Sequence, residues 1–280
     1  MILIADSGAT KTHWVLIGDK SVIAEVYTLG FNPYYYKTDK FEKSLLAELA
    51  SKVPVNNISH IYFYGAGVSS EANRDIVEKA IKSVFPGAVI ETYHDLYGAA
   101  IALLGNRKGI ACILGTGSNS CLWDGQHVVA NVPSLGYMLG DEGSGTYMGK
   151  LLVRDILIGE ADGEVSNLFY QHNHLGFSGV LDRIYKQPNP NLFFSKQTKF
   201  LKENLHYPYC RQVIQRAFND FVTVQLSKYP GYGSLPACFV GSIAVNFKDI
   251  LREVLSKNSI SMGKVIKEPM EGMIGYYLNK

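Results

Sequence analysis

Two segments of the chain, residues 2–16 and 110–122, share one pattern: an apolar strand enters a tight polar loop and a second apolar strand leaves it. The first loop reads Asp6-Ser7-Gly8-Ala9-Thr10-Lys11-Thr12, the second Gly115-Thr116-Gly117-Ser118-Asn119. Small residues let backbone N–H groups approach an anion closely, and hydroxyls add donors without bulk. One such loop is weak evidence of phosphate binding. Two of them, opening two halves of similar element order, point to a clamp that closes on a nucleotide from both sides.

Around the first loop, strands are predicted over residues 2–5, 12–17 and 22–28, with Gly8 and Gly18-Asp19 turning the chain. Helical spacing of apolar residues follows over 41–52. A strand over 58–64, a helix over 71–85, a strand over 88–92 and a helix from Asp95 to about residue 104 complete the first half. An antiparallel start followed by alternation implies a mixed sheet covered by helices. The second half opens alike, with strands over 110–114, 118–123 and 128–132 and a hairpin turn at Asp124-Gly125. A helix over about 144–157 and an irregular helical stretch over 162–204 follow. Gln187-Pro188-Asn189-Pro190-Asn191 marks a loop within that stretch. Beyond it come a helix over 209–229, a buried strand over 237–240 and a helix over 246–257. The repeated order predicts an α/β chain built by internal duplication, although residue identity between the halves is low.

Composition narrows the function classes. A chain of 280 residues allows one large domain or two ordinary ones. A net charge of +2 with no basic run gives no reason to expect a nucleic-acid surface. The longest apolar runs, such as Ile110-Ala111-Cys112-Ile113-Leu114, are too short for a membrane span. Met1 leads straight into Ile2-Leu3-Ile4 without a secretory leader, so a cytoplasmic protein is expected. Four scattered cysteines with no CxxC pair read as reduced, mostly buried thiols.

Several residues admit both a chemical and a structural reading. Asp6, at the end of a buried strand beside the first loop, could hold hydrated Mg²⁺ near a triphosphate or could form a turn. Asp95 follows a strand and opens a helix; it could accept a proton from an attacking hydroxyl or simply cap that helix. His94 beside it reads as structural. In Gly140-Asp141-Glu142-Gly143-Ser144, a carboxylate could cap the next helix or accept hydrogen bonds from sugar hydroxyls. Gly241-Ser242-Ile243-Ala244 is a strand-to-helix turn against which a purine and ribose could lie. Gly149-Lys150 is not a P-loop, because Ser144 and Leu151 stand where that motif needs glycine and Ser/Thr.

Taken together, the first loop, Asp95, the Leu114-Gly115-Thr116-Gly117-Ser118-Asn119 run, Gly140 to Ser144 and Gly241-Ser242 resemble the N-acetylglucosamine kinase family. That family belongs to the BadF/BadG/BcrA/BcrD-type ATPases, in the superfamily of actin, hexokinase and the 70-kDa heat-shock proteins. The resemblance implies two ribonuclease-H-like domains, over residues 1–107 with a returning helix at 266–280 and over 108–265, with ATP·Mg²⁺ in the cleft between them. By similarity, Gly8, Ala9, Thr10, Lys11 and Thr12 form the first phosphate loop and Gly115, Thr116 and Gly117 the second. Gly241, Ser242, Ile243 and Ala244 match the adenosine loop, and Asp6 holds Mg²⁺ through water. Asp95 is then the base that takes the proton of the sugar 6-hydroxyl. Asn32, Ser118, Asn119, Leu135, Gly136 and Asp141 fall at sugar-contacting positions. Tryptophan is usual where Leu135 stands, and histidine or tryptophan follows the asparagine where Pro33 and Tyr34 stand. Those positions bear on acetamido recognition, not on phosphoryl chemistry. The cysteine–zinc motif of the bacterial repressor/kinase branch is missing.

The implied function is ATP-dependent phosphorylation of N-acetylglucosamine to its 6-phosphate, with a small sugar as the partner; homodimers are common in the family. Kinases of N-acetylmuramate or glucosamine remain open. So does a nucleotide-driven activator ATPase, a class that holds an iron–sulfur cluster with cysteines at a subunit interface.

Overall fold

A computed structural model describes residues 1–8, 11–33 and 38–280. The chain divides into two compact units, Met1–Gly105 with Pro269–Lys280, and Asn106–Glu268. Each is built on a mixed five-stranded sheet carrying helices, the architecture expected from the element order.

In the first unit β1 (Ile2–Ser7), β2 (Lys11–Gly18) and β3 (Ser21–Leu29) form an antiparallel meander. A helical stretch then opens as α1 (Thr38–Ser44). It leads to β4 (His60–Gly65), α2 (Glu71–Val84), β5 (Val89–His94) and α3 (Asp95–Leu104). β4 pairs in parallel with β1 and β5 in parallel with β4, giving the order β3-β2-β1-β4-β5. Central β1 buries Leu3, Ile4 and Ala5 completely, as expected for a strand covered on both faces. α2 buries Val77, Ala80, Ile81 and Val84 along one stripe, and the Ser70 hydroxyl caps it by accepting the Asn73 N–H. The core stacks Phe31 on Phe41 and sets Phe41 edge-on to Phe63, which meets Trp14.

The second unit repeats the plan. β6 (Gly109–Leu114), β7 (Ser118–Trp123) and β8 (Val128–Val132) form the meander. A long helical insertion follows: α4 (Gly136–Leu139), α5 (Gly145–Leu157), α6 (Gly163–Asn173), α7 (Phe177–Tyr185), α8 (Pro190–Glu203) and α9 (Pro208–Val224). Then come β9 (Ala237–Val240), α10 (Ser242–Asn246), α11 (Lys248–Lys257) and β10 (Met262–Ile266). Both β9 and β10 pair in parallel, giving the order β10-β9-β6-β7-β8. Read from the meander edge, each unit therefore runs third-second-first-fourth-fifth, so the duplication is visible in the wiring where residue identity hides it. Finally α12 (Met270–Leu278) returns to the first unit and lies on α3.

Several elements depart from their predicted bounds for local reasons. The helix expected over 41–52 begins at Thr38 and changes to a π-type turn over Leu45–Ala50, beside buried Ser44, whose hydroxyl accepts the Leu29 N–H. The helix expected to reach residue 229 stops at Val224. Gln225 turns inward to take the Ser120 hydroxyl at 2.8 Å, and the Tyr229 hydroxyl bonds the Ser120 carbonyl and the Val132 N–H. The helix expected over 246–257 is present as α11 from Lys248, and buried Phe247 separates it from the short α10, which was not expected. Within residues 162–204 the breaks fall at His174 and Asn189, both left-handed, and Pro190 opens α8 with the fixed φ that suits a first helical position.

Candidate functional site

In the first unit, Ser7 of β1, Gly65 of β4 and His94 of β5 are level in the parallel register. The carboxyl ends of three parallel strands therefore finish in one row, the edge where ligands gather in α/β sheets. Asp6 precedes that row, paired with His13 on β2 and Tyr64 on β4, and so lies within a strand and not in a turn. The hairpin beyond it closes with the Gly8 N–H donated to the Lys11 carbonyl at 3.0 Å. Ala9 and Thr10 lie outside the described residues. Thr12 is buried, and its hydroxyl bonds Ser7 Oγ at 2.8 Å and the Leu29 carbonyl at 3.0 Å. It fastens the hairpin base, while Lys11 is exposed with its ammonium over the Tyr27 ring.

Asn32 belongs to the same edge. Ser7 Oγ accepts the Phe31 N–H at 3.2 Å, which fixes the chain just before it. Gly67, in the loop after β4, packs so closely that a Cβ there would stand 2.4 Å from Asn32 Oδ1; its φ of +81° also favours glycine. Asp95 is the first residue of α3, but the cap is His94, whose ring nitrogen accepts the Leu96 N–H. Capping therefore does not explain Asp95. One of its carboxylate oxygens, Oδ1, is buried with no polar partner besides the His94 ring, whose Nδ1 stands 2.7 Å away.

In the second unit the same edge is built from Leu114, Val240 and Ile266, at the ends of β6, β9 and β10. Gly241, with φ +127°, leaves β9 so close to β6 that a Cβ would stand 2.2 Å from the Leu114 carbonyl oxygen. The second hairpin is tied to the start of α5: the Gly145 N–H bonds the Gly115 carbonyl, and the Thr146 N–H and hydroxyl both bond the Thr116 carbonyl. Its base is secured by Asn131, which donates to Asn119 Oδ1 at 3.0 Å. The hairpin and the turn after β9 enclose a cavity of about 120 Å³ lined by Gly115, Thr116, Gly145, Ser242 and Ile243. Ser195, Lys196 and Thr198 of α8 complete its wall. Sequence reasoning missed these three, because a lysine on an amphipathic helix carries no motif.

Asp141 lies against that hairpin. Its Oδ1 accepts the Ser118 N–H at 3.3 Å and the Ser134 hydroxyl at 3.4 Å, and a Cβ on Gly117 would stand 3.0 Å from its Oδ2. The cap of α5 is Ser144, which accepts the Tyr147 N–H, so Asp141 is not needed there. Its left-handed backbone, φ +61°, is tolerated by an aspartate but is uncommon. Burial raises the Asp141 carboxyl above the usual carboxylate range, against the Ser118 and Ser134 hydrogen bonds and the charge of Lys150, which lower it. Beside it the buried Ser118 hydroxyl has no hydrogen-bond partner. Leu135 and Gly136 stand at the start of α4, and Leu135 is 60 % exposed.

Among the described residues no three His, Cys, Asp or Glu side chains gather as metal ligands. All four cysteines are buried and free, which leaves none at the surface for a cluster shared between subunits. Among the described residues no helix is long and apolar enough to cross a membrane.

No protein-family model and no curated protein matches the chain. Solved structures do. A Porphyromonas gingivalis protein provisionally named as an N-acetylglucosamine kinase superposes with a TM-score of 0.92 at 37% identity, over 100% of this chain and 99% of its own. A Chromobacterium violaceum protein with the same provisional name gives 0.75 at 17% identity, over 100% and 98%. The ethanolamine utilization protein EutJ of Carboxydothermus hydrogenoformans gives 0.54 at 13% identity, over 99% and 88%. The last two show the fold alone.

Proposed function

Because the chain belongs to the N-acetylglucosamine kinase family, we propose that it is an ATP-dependent sugar kinase that phosphorylates an amino sugar, N-acetylglucosamine foremost, at its 6-hydroxyl. The observation that carries this reading is in the second unit. Asp141, relieved of capping by Ser144, is drawn against the Gly115–Asn119 hairpin next to a buried Ser118 hydroxyl with no partner. An acceptor-only carboxylate and an unused hydroxyl side by side suit the donors and acceptors of a sugar ring. The cavity lined by Thr116, Ser242 and Lys196 accompanies them with hydroxyl-bearing residues and one cation, chemistry that suits the phosphates of a nucleotide.

In this reading each unit supplies one phosphate loop, Gly8 to Thr12 and Gly115 to Gly117. Thr12 acts by fastening its loop, and Gly241 to Ala244 receive the adenosine. Asp95 orients the acceptor hydroxyl and takes its proton, while loop amides stabilise charge on the transferred group; ATP, with Mg²⁺, supplies that group. A coupled ADP assay across N-acetylglucosamine, glucosamine, N-acetylmuramate, N-acetylmannosamine and glucose tests the proposal. N-acetylglucosamine is expected to give the highest kcat/KM, and ADP release that no sugar stimulates would refute it.

Asp141→Ala is expected to raise the KM for sugar about 100-fold with the KM for ATP little changed, since charge-assisted hydrogen bonds contribute roughly 1.5–3 kcal/mol. Steady-state kinetics with each substrate varied in turn separates the two. The raised Asp141 carboxyl adds a sign: protonation removes its charge and turns one acceptor oxygen into a donor, so sugar affinity should weaken as pH falls, beginning above the usual carboxylate range.

A further inference from the structure

His94 makes two contacts that place opposite demands on one nitrogen. Its Nδ1 stands 3.3 Å from the Leu96 backbone N–H and 2.7 Å from Asp95 Oδ1. To accept from Leu96 the nitrogen must present a lone pair. To meet a carboxylate oxygen at 2.7 Å it must carry a proton, because two lone pairs at that distance repel. Asp95 Oδ1 is buried and has no other donor. The charged groups acting on the imidazole are Asp95 on α3 and Arg74 on α2, while β4 places Gly65 opposite it in register. Burial lowers the imidazolium and so does Arg74. The hydrogen bond and charge of Asp95 outweigh both, and His94 keeps its proton to higher pH than an ordinary histidine.

We propose that His94 is a positioning residue for Asp95: with Nδ1 protonated it clamps Oδ1 and leaves Oδ2 for the acceptor hydroxyl, and without that proton it turns to capping α3 and releases the carboxylate. The inference deepens the kinase reading and rests on it. The clamp gives the base a fixed orientation, which is where phosphoryl transfer gains most of its rate. The imidazolium loses one proton to solvent, and the one left sits either on Nδ1, which keeps the clamp, or on Nε2, which frees Nδ1 to accept the Leu96 N–H; turnover should therefore fall as pH rises through the His94 transition, by the share of the second tautomer.

Two measurements on the full chain test this. The first follows the imidazole resonances of histidine-labelled protein against pH, with His94→Asn supplying the assignment. His94 is expected to titrate above about 6.5, the ordinary histidine value, and to drop below it in Asp95→Asn, where burial and Arg74 act unopposed. A His94 transition unmoved by Asp95→Asn overturns the inference. The second is the pH profile of kcat. His94→Ala is expected to lower kcat about tenfold with the KM for ATP unchanged. His94→Asn, whose amide can both donate to the carboxylate and cap the helix, should recover most of that loss and abolish the fall at high pH. A basic limb that persists in His94→Asn overturns the positioning role. Wild-type protein that turns over no sugar overturns the kinase reading and this role with it, whereas an imidazole transition indifferent to Asp95 overturns this inference alone.

Discussion

Asp95→Asn is expected to lower sugar-dependent ADP release about a thousandfold while nucleotide binding persists. Asparagine has the shape of aspartate, and with the carboxylate gone His94 can cap the α3 N-terminus, so the local backbone has no reason to move. What disappears is the acceptor for the hydroxyl proton, a contribution of roughly 10²–10⁴ in rate for a positioned base. The loss should sit in kcat, because the proposed role of Asp95 is toward the acceptor hydroxyl and its proton, not toward the nucleotide. Single-turnover kinetics, with ATP titrated by a fluorescent analogue, reads both quantities. A variant that retained a tenth of wild-type turnover would remove Asp95 from the chemistry.

Gly149→Ala carries the largest expected effect on stability. The sequence offers Gly149-Lys150 as a tempting phosphate motif, but the structure gives this glycine a packing role. It lies on α5 where α8 crosses, and a Cβ there would stand 2.0 Å from the Phe194 carbonyl oxygen and 2.8 Å from its Cα. Those atoms are helix backbone, which cannot swing aside as a side chain can. One methyl group must therefore push the two helices apart, costing about 3 kcal/mol. Ser195, Lys196 and Thr198 sit on the displaced helix, so the cavity wall should move as well. Urea denaturation should show the loss. The control is Gly163→Ala at the start of α6, where a Cβ meets nothing within 4 Å; it should be neutral or slightly stabilising. Equal midpoints for the two variants would mean that α5 and α8 are not in backbone contact.

How far the fold could be read ahead depended on whether the signal was local. The helix from Asp95 to Leu104 and the strands Val128–Val132 and Ala237–Val240 match their predicted limits, because turns, caps and apolar runs bound them in sequence. β10 was invisible. Met262-Gly263-Lys264-Val265-Ile266 shows no alternation, and it is a strand only because β9 offers it a parallel partner. Its Gly263 answers to that neighbour, since a Cβ there would stand 2.4 Å from Cys238 Sγ. The candidate site divides in the same way. Glycine-rich turns at Gly115 and Gly241 announce themselves, because only certain residues can make them. His94 reads as ordinary until its ring is found 2.7 Å from the Asp95 carboxylate, and Lys196 until α8 brings it to the cavity that Thr116 also lines.

The return of α12 has a consequence for how the molecule is made. Residues 106–268 form one uninterrupted stretch, whereas the first unit is completed only by residues 269–280. α12 is fitted closely to its seat. A Cβ on Gly272 would stand 2.3 Å from the Ala102 carbonyl oxygen, and the Tyr277 hydroxyl bonds that of Tyr64. On the ribosome, therefore, residues 1–105 emerge before 106–268 yet finish after them, their α3 surface bare until residues 269–280 have emerged. The usual vectorial order, in which the leading domain is complete before the next appears, is inverted here. Chaperone contacts during synthesis are expected to concentrate on the early portion, and nascent chains halted before residue 269 should be protease-sensitive there while the later portion already resists.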